Sequence, residues 1–223
     1  MNLSLSPQSR PFYFGGENIY IFLDYDGTLI KNEEKEFQKY YFSSFLNYTG
    51  LDKSIINIVL ECTVELIKKD NNDKNNLEYY MDLMERKTGK DSKYWYNTFL
   101  DFYNNEFPKL KEIIKPNEKL INKIKNSNHK FVFASNPVFP EVAVKHRIEF
   151  INLNPNDFIY VSTMENSHYC KPNPKYFIEI INKLDIKPED CLMIGDTEFD
   201  MASIKAGIKF IHVSEERKWD ELI

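Results

Sequence analysis

Residues 19–30, Ile19-Tyr20-Ile21-Phe22-Leu23-Asp24-Tyr25-Asp26-Gly27-Thr28-Leu29-Ile30, constrain this chain more than any other stretch. Five apolar or aromatic residues run straight into two acids spaced by one, then a Gly and a Thr. A short, unbroken apolar run rich in aromatic and β-branched residues predicts a strand buried on both faces, hence the centre of a parallel sheet. Ligands of such sheets sit beyond the carboxyl ends of the strands. Two carboxylates gathered there are costly unless a cation neutralises them. Mg2+ suits carboxylate oxygens and leaves room for a phosphate. A pair of turn-capping aspartates is the plainer alternative. An EF-hand loop fits less well, because Gly directly follows the second acid and a strand precedes the loop.

The remainder of the chain decides the fold class. From Pro116 onward, helical and apolar stretches alternate. Strands are expected at 130–134, 158–161, 191–195 and 209–213. Helices are expected at 117–126, at 138–151 with Pro137 beginning the helix, at 174–184, at 198–206 with Gly207 as terminator, and after Ser214. This alternation predicts an α/β protein: a Rossmann-like parallel sheet in a three-layer αβα core with right-handed crossovers. Between the first strand and Pro116 the texture differs. Helices are expected at 33–50 (Phe37, Tyr40, Tyr41, Phe45, Tyr48), 53–69 (Ile55, Ile56, Val59, Leu60, Val64, Ile67), 77–87 and 92–107, each with apolar residues three and four apart. The run 68–76, KKDNNDKNN, reads as a polar loop with no core-forming residue. The expected organisation is therefore an α/β core from 1–31 and 113–223, with an all-helical insert at 32–112. Residues 1–17 read as a poorly structured lead-in. The aromatic stripes of the insert read first as helix-to-helix core, and second as a wall facing a substrate cleft.

Charge and composition exclude several classes. At 223 residues with 42% hydrophobic content the chain can bury a sizeable core. A net charge of −5 argues against a nucleic-acid partner. No apolar stretch approaches the roughly 20 residues that span a membrane, and the polar N-terminal residues lack a signal-peptide pattern. Cys62, Cys170 and Cys191 lie far apart with no CxxC pair. The expectation is reduced, non-catalytic thiols in a cytoplasmic protein.

Polar residues collect where the apolar strands end. Asp24 and Asp26 follow the first strand, Ser135 the second, Lys171 lies in the loop after the third, and Asp196 follows the fourth with Asp200 four residues on. All converge on one sheet edge, and the set suits phosphoryl transfer. Asp24 can attack phosphorus, and Asp26 can serve as general acid and then base. Ser135 can bond a phosphate oxygen, and Lys171 can neutralise nucleophile and phosphoryl charge. Asp196 completes a Mg2+ shell, with Asp200 as an outer ligand or orienter. Each also has a structural alternative: Ser135 as a helix cap, Lys171 as a surface lysine beside a Pro-rich turn, Asp200 as a capping or pairing group. His129, His146, His168, Tyr169 and His212 stay outside the site, and Arg147 reads as a surface or structural charge.

With these residues assembled, the chain resembles the haloacid dehalogenase superfamily of phosphohydrolases. Four stretches carry the resemblance in order: Leu23-Asp24-Tyr25-Asp26-Gly27-Thr28-Leu29, Phe133-Ala134-Ser135-Asn136-Pro137, Lys171-Pro172-Asn173-Pro174 and Ile194-Gly195-Asp196-Thr197-Glu198-Phe199-Asp200. The insert falls where that family carries a helical cap of the C1 type. The resemblance implies a nucleophile at Asp24, an acid/base at Asp26, and Mg2+ held by Asp24, Asp196 and the Asp26 backbone carbonyl. It also implies phosphate contacts from Ser135, Asn136 and Lys171. Asp26 separates the chain from members that cleave carbon–halogen bonds. Members that cleave phosphonates use a cap lysine as a Schiff base, and no insert lysine sits in an evidently apolar setting. Tyr25 departs from the Leu or Met usual at its position. The leading expectation is a Mg2+-dependent phosphatase of a small phosphorylated metabolite. A phosphomutase is the nearest rival, and a non-catalytic binding protein a more distant one. A receiver-type signalling domain fits poorly, being shorter and lacking the long insert.

Overall fold

The computed structural model describes residues 19–223, so the expected lead-in at 1–17 lies outside the described residues. Five strands form one parallel sheet: β1 (Tyr20–Leu23), β2 (Lys130–Phe133), β3 (Tyr160–Val161), β4 (Cys191–Gly195) and β5 (Lys209–His212), in the order β3-β2-β1-β4-β5. The central position of β1 follows from its composition, because a strand with neighbours on both edges and helices on both faces has no polar position to spare. Leu23 stands level with Phe133 on one side and Ile194 on the other. That register brings the residues just past the three central strands to one edge.

Side-chain alternation builds the layers. Ile21 and Leu23 join a buried cluster with Leu120, Ile121 and Ile124 of α5 (Glu118–Asn126), Val144 and Ile148 of α6 (Glu141–Phe150), and Trp219 of α9 (Glu216–Asp220). Phe22 points the other way, into Tyr176, Phe177 and Ile180 of α7 (Lys175–Leu184) and Ala202 beyond α8 (Glu198–Met201). The core is the three-layer α/β arrangement that the alternation predicts.

Between β1 and β2 stand four helices, α1 (Glu34–Thr49), α2 (Ile55–Ile67), α3 (Asn76–Thr88) and α4 (Ser92–Asn105). Their shared core is aromatic. Phe45 stacks on Phe99 with centroids 5.4 Å apart and meets Phe102 edge-on at 5.2 Å, and Tyr41 and Tyr103 join hydroxyls at 2.8 Å. Local chemistry sets the ends. Asn75 and Glu78 form a capping box on α3, and Gly50 and Gly89 close α1 and α3 in left-handed backbone at φ 66° and 69°.

Several boundaries differ from the sequence reading. Helix α6 starts at Glu141 after Pro140, not at Pro137. The Glu165 carboxylate accepts the Glu141 N–H at 3.0 and 2.9 Å, so a residue from the loop after β3 marks that start. The expected helix at 198–206 is a single turn, α8, followed by a tighter 3-10 turn over 202–206. The stretch 68–76 is not purely solvent-facing. Lys69 and Asn76 are buried, because the loop docks on the core: Asn76 N–H donates to Ser167 O at 2.8 Å and Leu77 N–H to Met164 O at 3.1 Å. In the apolar stripes of α1 and α2, Tyr40, Tyr48, Leu60 and Val64 are exposed, while Cys62 and Leu66 take buried positions.

Candidate active site

The chain leaves β1 at Asp24 and turns back over Tyr25–Leu29, with Ile30 N–H donating to Tyr25 O at 2.9 Å. Gly27 makes the turn possible. Its φ is +70°, and a Cβ there would stand 2.0 Å from Asp196 Oδ2. Gly195 serves the neighbouring strand end in the same way, since a Cβ on it would meet Asp200 Cγ at 2.4 Å.

Asp24, Asp196 and Asp200 each bring a carboxylate oxygen within 4.8 Å of the others. Lys171 lies among them, only 2% exposed, so it is no surface lysine. Its Nζ donates to Asp24 Oδ1 at 2.9 Å and to Asp200 Oδ1 at 2.5 Å. Burial works against the Lys171 charge, but Asp24 and Asp200 outweigh it and raise its pKa. Burial, with Asp200 and Asp26 adding to it and Lys171 opposing, pushes the Asp24 carboxyl up to about 7. Burial and then Asp200 also raise Asp196. An excess of buried negative charge of this kind is what a cation would relieve.

The atoms left spare in this cluster decide where a metal fits. Both oxygens of Asp200 are engaged: Oδ1 by Lys171, and Oδ2 by the N–H groups of Asp196 and Thr197 and by the Thr197 hydroxyl, each at 3.2 Å. Asp196 Oδ1 is buried without a hydrogen-bond partner. A hard cation fits this arrangement through Asp24 and Asp196, with Asp200 holding the loop and the lysine.

The other candidates fall in distinct places. The Asp26 side chain is half exposed and lies apart from the three-carboxylate cluster, ion-paired with Arg147. Ser135 is 4% exposed and lines the same cavity as Asp24; α6 begins beyond it, so it does not cap that helix. Asn136 turns its amide to the backbone of Lys171, accepting its N–H at 3.0 Å and donating to its carbonyl at 3.3 Å. It braces the Lys171 loop, whose Lys171–Pro172 peptide is cis.

Four residues that the sequence reading left without a role in the site also build it. Arg147 is 1% exposed, not superficial. Its guanidinium lies over the Tyr25 ring at 4.2 Å and the Phe139 ring at 4.7 Å, and it meets Asp26. Tyr25 donates its hydroxyl to Arg147 O at 2.8 Å, which gives the departure at position 25 a supporting role. Tyr176 donates to Ser135 O at 3.1 Å and shares a hydrogen bond with Ser162 at 2.7 Å. His212 Nε2 lies 2.9 Å from Asp196 O. No local pattern marks these pairs, because the partners are far apart in the chain. His168 stays outside the site, with Nδ1 2.6 Å from Glu179 Oε1.

Contrary to the sequence reading, one insert lysine is buried. Burial lowers the pKa of Lys69, but its Nζ is held by Lys74 O at 2.6 Å and His168 O at 2.8 Å, and it is not a lining residue of the cavity. Its work is to tie the α2–α3 loop to the loop that carries Lys171.

A cavity of about 1270 Å³ opens from Asp24, Asp26 and Asp196 toward the helical insert.

Three strand ends of a parallel sheet gathered around a buried lysine from a loop define the class of α/β site, and the comparisons specify it. The family model of haloacid dehalogenase-like hydrolases matches residues 20–213. The chain belongs to that family. No curated protein matches it. Among solved structures it is similar to a haloacid dehalogenase-superfamily hydrolase, subfamily IA, from Geobacter sulfurreducens (TM-score 0.53, 15% identity, covering 87% of this chain and 89% of that one). It is also similar to CbbY from Rhodobacter sphaeroides in complex with phosphate (0.55, 16%, 87% and 85%). A third is a predicted phosphoglycolate phosphatase from Haemophilus somnus (0.54, 19%, 89% and 86%). At these identities the likeness speaks for the fold. Among the described residues no helix is long and apolar enough to cross a membrane.

Proposed function

We propose that the protein is a Mg2+-dependent phosphohydrolase that cleaves a small phosphate monoester through an aspartyl-phosphate on Asp24. The observation that carries this reading is the buried Lys171 ammonium between Asp24 and Asp200, beside the spare oxygen of Asp196. In the first step an Asp24 oxygen attacks phosphorus, the ester P–O bond breaks, and the leaving oxygen takes a proton from Asp26. Lys171 holds one Asp24 oxygen and neutralises charge at the reacting centre. In the second step water attacks phosphorus, Asp26 takes its proton, and the Asp24–phosphorus bond breaks to restore the carboxylate and release phosphate. Asp26 works from the cavity wall, with Arg147 as the group that positions it. Ser135 bonds a phosphoryl oxygen, and Asn136 sets the height of the Lys171 loop.

Asp24, Asp196 and the backbone carbonyl of Asp26 would hold the metal, and Asp200 would orient Lys171 and the Asp196–Thr197 backbone. When bound, Mg2+ supplies the positive charge that lets carboxylates and phosphate share the site. The three described cysteines are buried and unbridged, which supports a reducing, cytoplasmic setting. The test is phosphate release from 4-nitrophenyl phosphate with Mg2+ and with EDTA. Release that requires Mg2+ and disappears in Asp24→Asn is expected. Release that survives in Asp24→Asn would overturn the nucleophile, and a sugar phosphate supplied in its place that is isomerised without free phosphate would replace hydrolysis with mutase chemistry.

A further inference from the structure

The cavity over the site has two unlike ends, and the far end bears on what the ester carries. Helix α2 has two apolar stripes. One, with Cys62 and Leu66, enters the insert core, and Val59 beside them also reaches the cavity wall. The other, Leu60, Thr63 and Ile67, lines the cavity, at the three- and four-residue spacing of a single helix face. On helix α4, Phe102 packs inward, Tyr96 and Leu100 line the cavity, and Phe99 and Tyr103 do both, buried in the insert core at the cavity wall. Leu60 and Tyr96 are each 39% exposed, so apolar surface faces water inside a concave site of about 1270 Å³. Concave apolar surface of this size is what a ligand's apolar body would cover.

The charges around the cavity narrow the class further. Lys171 is committed to Asp24 and Asp200, Arg147 to Asp26, and Lys145 to Glu141 at 2.7 Å. Lys35 also lines the cavity, on the first turn of α1, where it is exposed and has no ion-pair partner among the described residues. Glu33, Glu34, Glu141, Glu165 and Glu198 also line the cavity. A second phosphate or a carboxylate on the substrate would meet these acids with no uncommitted buried cation to receive it.

Resting on the phosphate-ester reading, we infer that the substrate is a monophosphate ester of an uncharged, ring-bearing apolar alcohol or phenol, whose ring system lies between the cavity-facing stripes of α2 and α4. The phosphate sits at Asp24, and the ester oxygen leaves toward Asp26 and the insert. Hydrolysis breaks the P–O bond and returns the alcohol with a proton.

The experiment is titration calorimetry of the Mg2+-loaded full chain with two non-hydrolysable probes, methylphosphonate and 1-naphthylmethylphosphonate. The naphthyl probe should bind about a hundredfold tighter, the scale of burying two fused rings. Thr63→Trp, which fills the compartment, and Leu60→Asp, at an exposed position, should each cut that affinity ratio at least about tenfold. Equal binding of the probes, or an unchanged ratio in both variants, overturns the inference. Phosphate release from esters with no affinity gap overturns this inference alone. A gap that holds while no ester is hydrolysed overturns the hydrolase reading alone. Failure of both probes to bind overturns both.

Discussion

The strand-end cluster and the helical insert are held together by opposite means. Around Asp24, each side chain is placed by directed bonds: Lys171 to two aspartates, Asn136 to the Lys171 backbone, Asp200 to two amides and a hydroxyl. In the insert, position comes from volume, with Phe99, Phe45, Phe102 and Phe107 in a chain of stacked and edge-on contacts. Directed bonds fail when one atom changes, even at constant shape. Packed rings tolerate swaps that keep volume and fail when volume is lost. The difference teaches where each kind of substitution should register: atom changes in turnover, volume changes in stability.

The largest expected effect is at Asp24. Asp24→Asn keeps the shape and should lower kcat at least about 10⁴-fold, with a thermal midpoint no lower than wild type in EDTA at pH 8; a midpoint drop of several degrees would break the contrast. Phe102→Ala is the converse. It should cost about 3–5 kcal/mol, read as a loss of about 10 °C, while kcat below the midpoint stays within about threefold. Arg147→Met sharpens the comparison because Arg147 is buried yet acts through Asp26. Its kcat should fall about a hundredfold, with KM moving much less; a KM effect alone would make it a packing residue. Lys69→Met strands the carbonyls of Lys74 and His168 and should cost about 1–3 kcal/mol in denaturant unfolding, with a rise in KM as the Lys171 loop loosens.

The remaining effect is one of pH. The Asp24 carboxyl titrates near 7 when folded without metal, against about 4 when unfolded. Between those values the folded chain holds a proton that the unfolded chain has lost, so this group's stabilisation falls as pH rises from about 4 to 7 and is level above. In EDTA the midpoint of wild type relative to Asp24→Asn should therefore drop from pH 5 to pH 8, and Mg2+ should close the gap. A gap that does not change with pH would remove Asp24 as the group responsible.

Three of the four motif stretches were readable because each binds its chemistry to a local pattern, an apolar run and then a polar residue where the strand must end, while Lys171 stands in the loop after the third strand. Strand existence, sheet class and the convergence of Asp24, Asp26, Ser135, Lys171, Asp196 and Asp200 on one edge follow from that. The stripes of α1 and α2 were less legible. Tyr40, Tyr48, Leu60 and Val64 share the period of their helices but are exposed, because a helix with two apolar flanks looks the same in sequence whichever flank is covered. The start of α6 was misread for a related reason. Pro137 and Pro140 are equally good first-turn signals, and Glu165, 24 residues away from Glu141, supplies the bonds at the observed start.

By itself, then, the amino-acid order determined the parallel α/β core, the helical character of the insert and the polar residues gathered beyond the strand ends, because apolar period and strand-end polarity act over a few residues. Tertiary structure alone decided which of those residues are free and which are spoken for. Arg147 meets Asp26 from 121 positions away, Asn136 braces Lys171 from 35 away, and Lys69 reaches His168 across 99. Such pairings depend on how helices and loops cross in space. A buried charge accepts whichever partner the packing brings within hydrogen-bond reach, and that distance is set by the fold.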